Sequence, residues 1–358
     1  MTERILLLVG TRKGAFILES DGARERWQMR GNACDGWPIH DLRWDATTST
    51  IYGAGGSPWY GGAVFRSSDL GRTWTHSSEG LTYGDAGPAI RTVWNVTPSA
   101  AGLLAGVEPA GLFRSMDRGD SWQHVEGLTN HPTRPEWQPG AGGLCLHSIV
   151  VHPRDPQRIW VGISAVGTFS TTDGGATWST RNTGVRAGFR PDVYPEFGQC
   201  VHKLVMASGR PDRLFQQNHC GVYRSDDAGV TWSEITPGLP SEFGFPMVAH
   251  PRDDATVWTI PLNGAEQGRY VPNAAAAVWR TRDAGQSWER LSEGLPQSDA
   301  YLTVLREAMA ADRLDPAGVY FGTESGRLYG SHNEGERWNV IADNLPPIWS
   351  VDAAVLEG

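Results

Sequence analysis

Apolar residues in this chain fall into short runs, each stopped by glycine, proline or a polar turn. A pair ending in an aromatic recurs as Val64-Phe65, Leu112-Phe113, Thr168-Phe169, Val222-Tyr223, Val278-Trp279 and Leu328-Tyr329. After one intervening residue each pair is followed by a polar octapeptide, Ser/Thr-x-Asp-x-Gly-x-Thr/Ser-Trp. It is intact at Ser67–Trp74, Ser115–Trp122, Thr171–Trp178, Ser225–Trp232 and Thr281–Trp288. A sixth copy, Ser331–Trp338, has Asn333 for Asp and Arg337 for Thr. An aromatic strand end before the octapeptide and a Trp opening a strand after it make each copy a hairpin loop. Its Asp accepts hydrogen bonds from its own turn, and its Gly supplies a positive φ.

The copies recur at a mean period of about 53 residues, the length of a four-stranded propeller blade. Ahead of the first copy, Ile5–Leu18 and Trp27 read as three strands joined by the Gly10–Gly14 and Asp21-Gly22 turns, a blade lacking its innermost strand. Val351–Val355, after the last octapeptide, supplies the missing strand, and closing the ring in this way removes exposed sheet edges. The prediction is all-β: one seven-bladed β-propeller domain over residues 1–358, closed by strands from both termini.

Composition agrees. The chain has 44 Gly and 23 Pro, as many short strands and tight turns require, and 16 Trp, enough to build a large core. A net charge of −9 is the wrong sign for neutralising phosphates, so no nucleic-acid partner is expected. The apolar run Ile5–Val9 is too short for a secretory segment or a membrane span. The expectation is a cytoplasmic protein without a membrane partner, with Cys34, Cys145, Cys200 and Cys220 as reduced thiols. There is no phosphate loop or nucleophile elbow, so neither a nucleotide cofactor nor a serine hydrolase is expected.

The octapeptide resembles the Asp box, or bacterial neuraminidase repeat, of sialidases, xyloglucanases, sortilin-type receptors and a photosystem II assembly factor, all of them propellers. The resemblance covers essentially the whole chain, of the kind labelled glycosyl hydrolase-like or exo-sialidase-like. It implies the fold but no single activity, because those relatives do unrelated things. True sialidase activity is disfavoured: the Arg-Ile-Pro signature is absent, and sialidases of this kind have six blades.

If the octapeptides join strands 3 and 4 on one face, the 2-to-3 turns and the 4-to-1 connections emerge on the other. Aligned by blade, the start of the inner strand carries His40, Arg91, His147, His202, Phe245, Arg306-Glu307 and Ser350, and polar groups around a channel mouth are not core filling. The 2-to-3 turns add Arg12 and Lys13, Ser57–Tyr60, Glu108, Asn218 and His219, the Asn263–Asn273 insertion, and Glu324. The long connections Thr129–Leu144 and Arg186–Gln199 are candidate rims.

Three chemistries compete at this mouth. His40, His147 and His202, two of them in Cys-x-His pairs, are candidate ligands for Zn²⁺ or a similar divalent metal. Glu307, Glu324 and Glu108 are the carboxylates available for glycoside hydrolysis. Arg12, Lys13, Arg91 and Arg306 form a cationic group suited to carboxylate or phosphate. The favoured reading is hydrolysis or lysis of a small polar or anionic ligand. Glu307, Glu324 and Lys13 are the catalytic candidates, and Arg12, Arg91, Arg306, Glu108, Asn218 and His219 hold the substrate. The alternatives are a glycoside hydrolase and a non-catalytic assembly scaffold, the latter expected to expose apolar patches on that face.

Overall fold

A computed structural model describes residues 3–356. Seven four-stranded antiparallel sheets follow one another around a ring. Their inner strands are Ile348–Leu356, Ile39–Asp45, Thr92–Ser99, Leu146–His152, Val201–Met206, Gly244–Ala249 and Met309–Ala311, for blades 1 to 7 in that order. Six blades are simple meanders. Blade 1 combines Arg4–Thr11, Gly14–Asp21 and Gln28–Ala33 with the C-terminal strand, which pairs antiparallel to Arg4–Thr11 from Arg4↔Leu356 to Thr11↔Ile348. Arg4–Thr11 is buried along nearly its whole length. That burial explains its continuous apolar run, since a strand covered on both faces does not alternate.

The octapeptides close the hairpins between third and fourth strands. In the first copy, Asp69 Oδ1 accepts from the Thr73 amide at 2.9 Å and Oδ2 from the Thr73 hydroxyl at 2.6 Å, while Ser67 Oγ accepts from the Gly71 amide at 2.8 Å. Donation by Thr73 is the main cause holding the Asp69 carboxyl at a pKa of about 2. In the degenerate copy Asn333 Oδ1 still accepts from the Arg337 amide at 3.1 Å and from the Ser331 hydroxyl at 2.8 Å.

The turns also tie blades together. The Trp122, Trp232 and Trp338 amides donate to the carbonyls of Glu79, Thr183 and Glu293 in the preceding blade, each at 2.9 Å. Each of those residues precedes a glycine of positive φ (Gly80, Gly184, Gly294) that lies against the Trp carbonyl. Among the described residues, no helix is long and apolar enough to cross a membrane.

Candidate binding site at the channel mouth

The mouth is shaped by a repeated fault in strand pairing. The register slips between Ile39 and Asp41, Val93 and Asn95, Leu146 and Ser148, Val201 and Lys203, and Gly244 and Met247. In blade 1 it slips between Ser350 and Ile348. His40, Trp94, His147, His202, Phe245 and Trp349 are therefore left out of the ladder, as a bulge re-aims a side chain. The start-of-strand alignment thus holds for His40, His147, His202 and Phe245. In blades 3 and 1 the bulged residue is Trp94 or Trp349 instead of Arg91 or Ser350.

These rings contact one another around the opening. His40 lies between Trp94 and Trp349, tilted against each ring with both centroid distances 4.6 Å, and His202 lies 4.8 Å from Phe245. Blade 7 has no such bulge; its irregular segment before Met309 sends Arg306 across the mouth. The Arg306 guanidinium sits 5.9 Å from the Trp94 ring and 5.2 Å from Phe245, and it donates to Ser164 Oγ at 3.4 Å. Its Nε is buried without a partner.

A cavity of about 450 Å³ opens beside Arg306. Every residue lining it comes from a 2-to-3 turn or from a 4-to-1 connection and the adjoining start of an inner strand, the face opposite the aspartate turns. Phe189, Phe243 and Phe245 form an apolar wall, and Arg269, Arg306 and Glu324 supply charge. Among the described residues, neither arginine has a carboxylate within ion-pair distance. Glu324 lies at the exposed rim, and partial burial of its carboxyl raises its pKa. Cys200, His202 and His219 complete the wall, with Cys200 Sγ 3.5 Å from His202 Nε2. Burial lowers the pKa of both histidines, so each imidazole is neutral at pH 7.

Deeper in the channel lies a charged cluster. Glu307 is 4% exposed and pairs with Lys203 and with Arg43, the latter at 2.6 Å. Arg43 also pairs with Asp41 at 3.2 Å, and Asp41 accepts from Asn95 Nδ2 at 2.8 Å. Burial pushes the Glu307 carboxyl up, but the Lys203 and Arg43 charges outweigh it and bring the net shift below the ordinary value. Burial raises Asp41. Arg43 and Lys203 line a second cavity, of about 360 Å³, bounded by later inner-strand positions such as Thr97, Val205 and Ala310.

His202, His219, Arg306 and Glu324 of the sequence candidates thus meet in one cavity. The others lie elsewhere. His40, His147 and His202 do not converge as a ligand set, because blades 2, 4 and 5 spread them around the channel. His40 is held between two indoles, and burial lowers its pKa to about 4. His147 engages Ser148 Oγ through Nδ1 at 3.1 Å and the Val201 carbonyl through Nε2 at 3.0 Å, a tie between blades. Glu307 is sealed within its ion pairs and does not line the cavity. Arg12, Lys13 and Arg91 are exposed outside it, Arg91 with 65% of its side chain in solvent. Glu108 accepts from the Trp94 indole at 3.1 Å, and Asn218 is buried within its strand. Arg269 was not singled out, although it lies in the flagged Asn263–Asn273 insertion. The face is also less purely charged than its sequence suggests: Trp59, 91% exposed, and Tyr60, Phe189, Tyr194 and Tyr301 all project from its loops.

Fold and site together define a seven-bladed β-propeller with a ligand-sized pocket at one channel mouth. No protein-family model matches the chain. Among curated proteins it is similar to a xyloglucanase from a Paenibacillus species, 27% identical over 249 residues, which covers 64% of this chain and 23% of that protein. A xyloglucanase from Hypocrea jecorina is 26% identical over 264 residues, 67% of this chain and 29% of the other. The chain thus spans less than a third of the length of either relative.

Among solved structures, a GH74 enzyme from Niastella koreensis aligns with a TM-score of 0.55 at 15% identity, covering 96% of this chain and 65% of that one. YCF48 from Cyanidioschyzon merolae aligns at 0.52 with 12% identity, covering 84% of each chain. At such identities these structural likenesses speak for the fold. The chain is a propeller resembling GH74 xyloglucanases and YCF48-like propellers.

Proposed function

We propose that this propeller is a carbohydrate-active, glycoside-hydrolase-like protein whose mouth pocket receives a saccharide bearing a carboxylate or phosphate group. The observation that carries the reading is the pair Arg306 and Arg269, cations lining an aromatic-walled cavity and, among the described residues, neither within ion-pair distance of a carboxylate. Planar guanidiniums suit such anions. The Phe wall and the exposed aromatics on the same face offer flat apolar surfaces for sugar rings, and similarity to xyloglucanases supports a saccharide over other anions. Glu324, with its raised pKa, is suited to protonate a leaving glycosidic oxygen while water takes the anomeric carbon. The small anionic ligand expected from the sequence becomes, in this reading, the acidic group of a sugar.

The test is calorimetric titration with uronate-containing, phosphorylated and neutral xyloglucan oligosaccharides, alongside an assay for released reducing ends. We expect preference for the acidic sugars. Arg306→Gln should weaken their binding by about ten- to a hundredfold, the value of a charged hydrogen bond. Glu324→Gln should retain binding and lose release. Acidic oligosaccharides bound no more tightly than neutral ones, or bound as tightly by Arg306→Gln as by the wild type, would overturn the anionic subsite, and no saccharide bound at all would overturn the proposal.

A further inference from the structure

One wall of the cavity carries more than saccharide recognition requires. Cys200, His202 and His219 each offer one ligand atom, and the three atoms lie within 4.8 Å of one another. Cys200 enters at the end of a 4-to-1 connection, His202 at the bulge of the next inner strand, and His219 at the tip of the following 2-to-3 turn.

We propose that Cys200, His202 and His219 form a mononuclear site for a borderline-soft divalent cation of the Zn²⁺ class, with its open coordination position facing the cavity. Geometry carries the argument. With Zn–S near 2.3 Å and Zn–N near 2.0 Å, a tetrahedral ion holds its sulfur and nitrogen ligands about 3.5 Å apart. Cys200 Sγ and His202 Nε2 already stand at 3.5 Å.

His202 is also oriented for the task. Its Nδ1 donates to the Gly244 carbonyl at 2.6 Å, which leaves the Nε2 lone pair facing the thiol. A second ring nitrogen bound to a carbonyl is the usual support of a metal-binding histidine. Phe243 and Phe245 pack at 5.1 and 4.8 Å from the His202 ring, and the half-exposed Phe189 at 5.2 Å from His219, so an apolar wall backs the two imidazoles. His219, half-buried on its turn, is the ligand that closes onto the ion.

Donor chemistry narrows the ion. Two imidazoles and a thiolate, without a carboxylate, disfavour Mg²⁺ and Ca²⁺ and suit Zn²⁺ and its neighbours. Three protein ligands beside an open cavity match the pattern of sites that keep a position for water or ligand. A thiolate-bound divalent ion beside Arg269 and Arg306 leaves net positive charge, so an anion at the open position is favoured. The site itself does not depend on the saccharide reading.

The experiment uses the full chain, stripped with a chelator and titrated with Co²⁺ in the absence of sugar. We expect one Co²⁺ per chain, tetrahedral visible absorption and a thiolate-to-cobalt charge-transfer band that Zn²⁺ displaces. Cys200→Ser should abolish the charge-transfer band, and His219→Ala should weaken binding by about tenfold or more. Cys145→Ser should leave both intact. His202 is buried and its removal endangers the fold, so the two more accessible ligands carry the test. Absence of stoichiometric cobalt, or a charge-transfer band that survives Cys200→Ser, overturns the site. So does rapid alkylation of Cys200 that saturating Zn²⁺ fails to slow, because that outcome makes the cysteine–histidine pair a free nucleophile.

Discussion

A carboxylate buried as deeply as Glu307 persists only where cations hold it, and Lys203 and Arg43 do so. Its neighbour Arg306 has the opposite setting, with aromatic faces and a partnerless Nε. Adjacent residues thus divide between structure and recognition. Removing Lys203 leaves Glu307 under-compensated in a dry environment, and breaking a buried pair in this way costs about 3–5 kcal/mol. Lys203→Met should lower unfolding stability by roughly that amount in a denaturant titration. The double variant Lys203→Met/Glu307→Gln should recover much of the loss, because the stranded charge is gone. A double variant as unstable as the single one would show that Lys203 acts through packing instead. Leu305-Arg306-Glu307-Ala308-Met309 breaks the strand pattern in the sequence, but which of its side chains faces the cavity was not legible, because an irregular segment has no period from which to read direction.

Blades repeat at the scale of elements, and repetition is what the sequence shows best. The six octapeptides, the closing strand and the face carrying the long loops were all legible, because aspartate, glycine and tryptophan have fixed tasks in that turn. The inner-strand bulges were not. A bulge changes which neighbour a residue pairs with and leaves no mark in composition, so Trp94 and Trp349 looked like ordinary strand residues while Arg91 and Ser350 took their places in the alignment. The three histidines were correctly seen as equivalent, but equivalence on a ring means separation, which is why they are not a ligand set. A second repeat also passed unread: the glycines seated against the next blade's tryptophan. Gly294 has φ +86°, and a Cβ there would lie 2.1 Å from the Trp338 carbonyl oxygen. Gly294→Ala therefore meets both a backbone penalty and a rigid clash and should destabilise by more than about 1 kcal/mol. Gly264→Ala, in open space, serves as the near-neutral control in the same thermal melt.

The whole ring depends on one strand. Ile348–Leu356 completes blade 1 by pairing with Arg4–Thr11, and it also reaches the mouth and the buried cluster. Trp349 packs against His40, the Val351 amide donates to the Glu307 carbonyl at 2.8 Å, and Asp352 accepts from the Trp44 amide at 2.9 Å. Ile348, Val351 and Val355 are buried, each contributing about 1.5–3 kcal/mol by transfer from water. Their sum of roughly 5–9 kcal/mol rivals the entire net stability of a typical domain, about 5–15 kcal/mol. Deleting residues 348–358 removes that contribution and also leaves Arg4–Thr11 as an unpaired apolar edge, a template for intermolecular strand pairing. We expect the truncated chain to lose its cooperative melt and to elute in gel filtration as larger species than the full chain. A synthetic peptide of residues 348–356 added in trans should return elution to the position of the full chain. A truncated chain that melts cooperatively at the original temperature would show that the ring stays shut without its C-terminal strand.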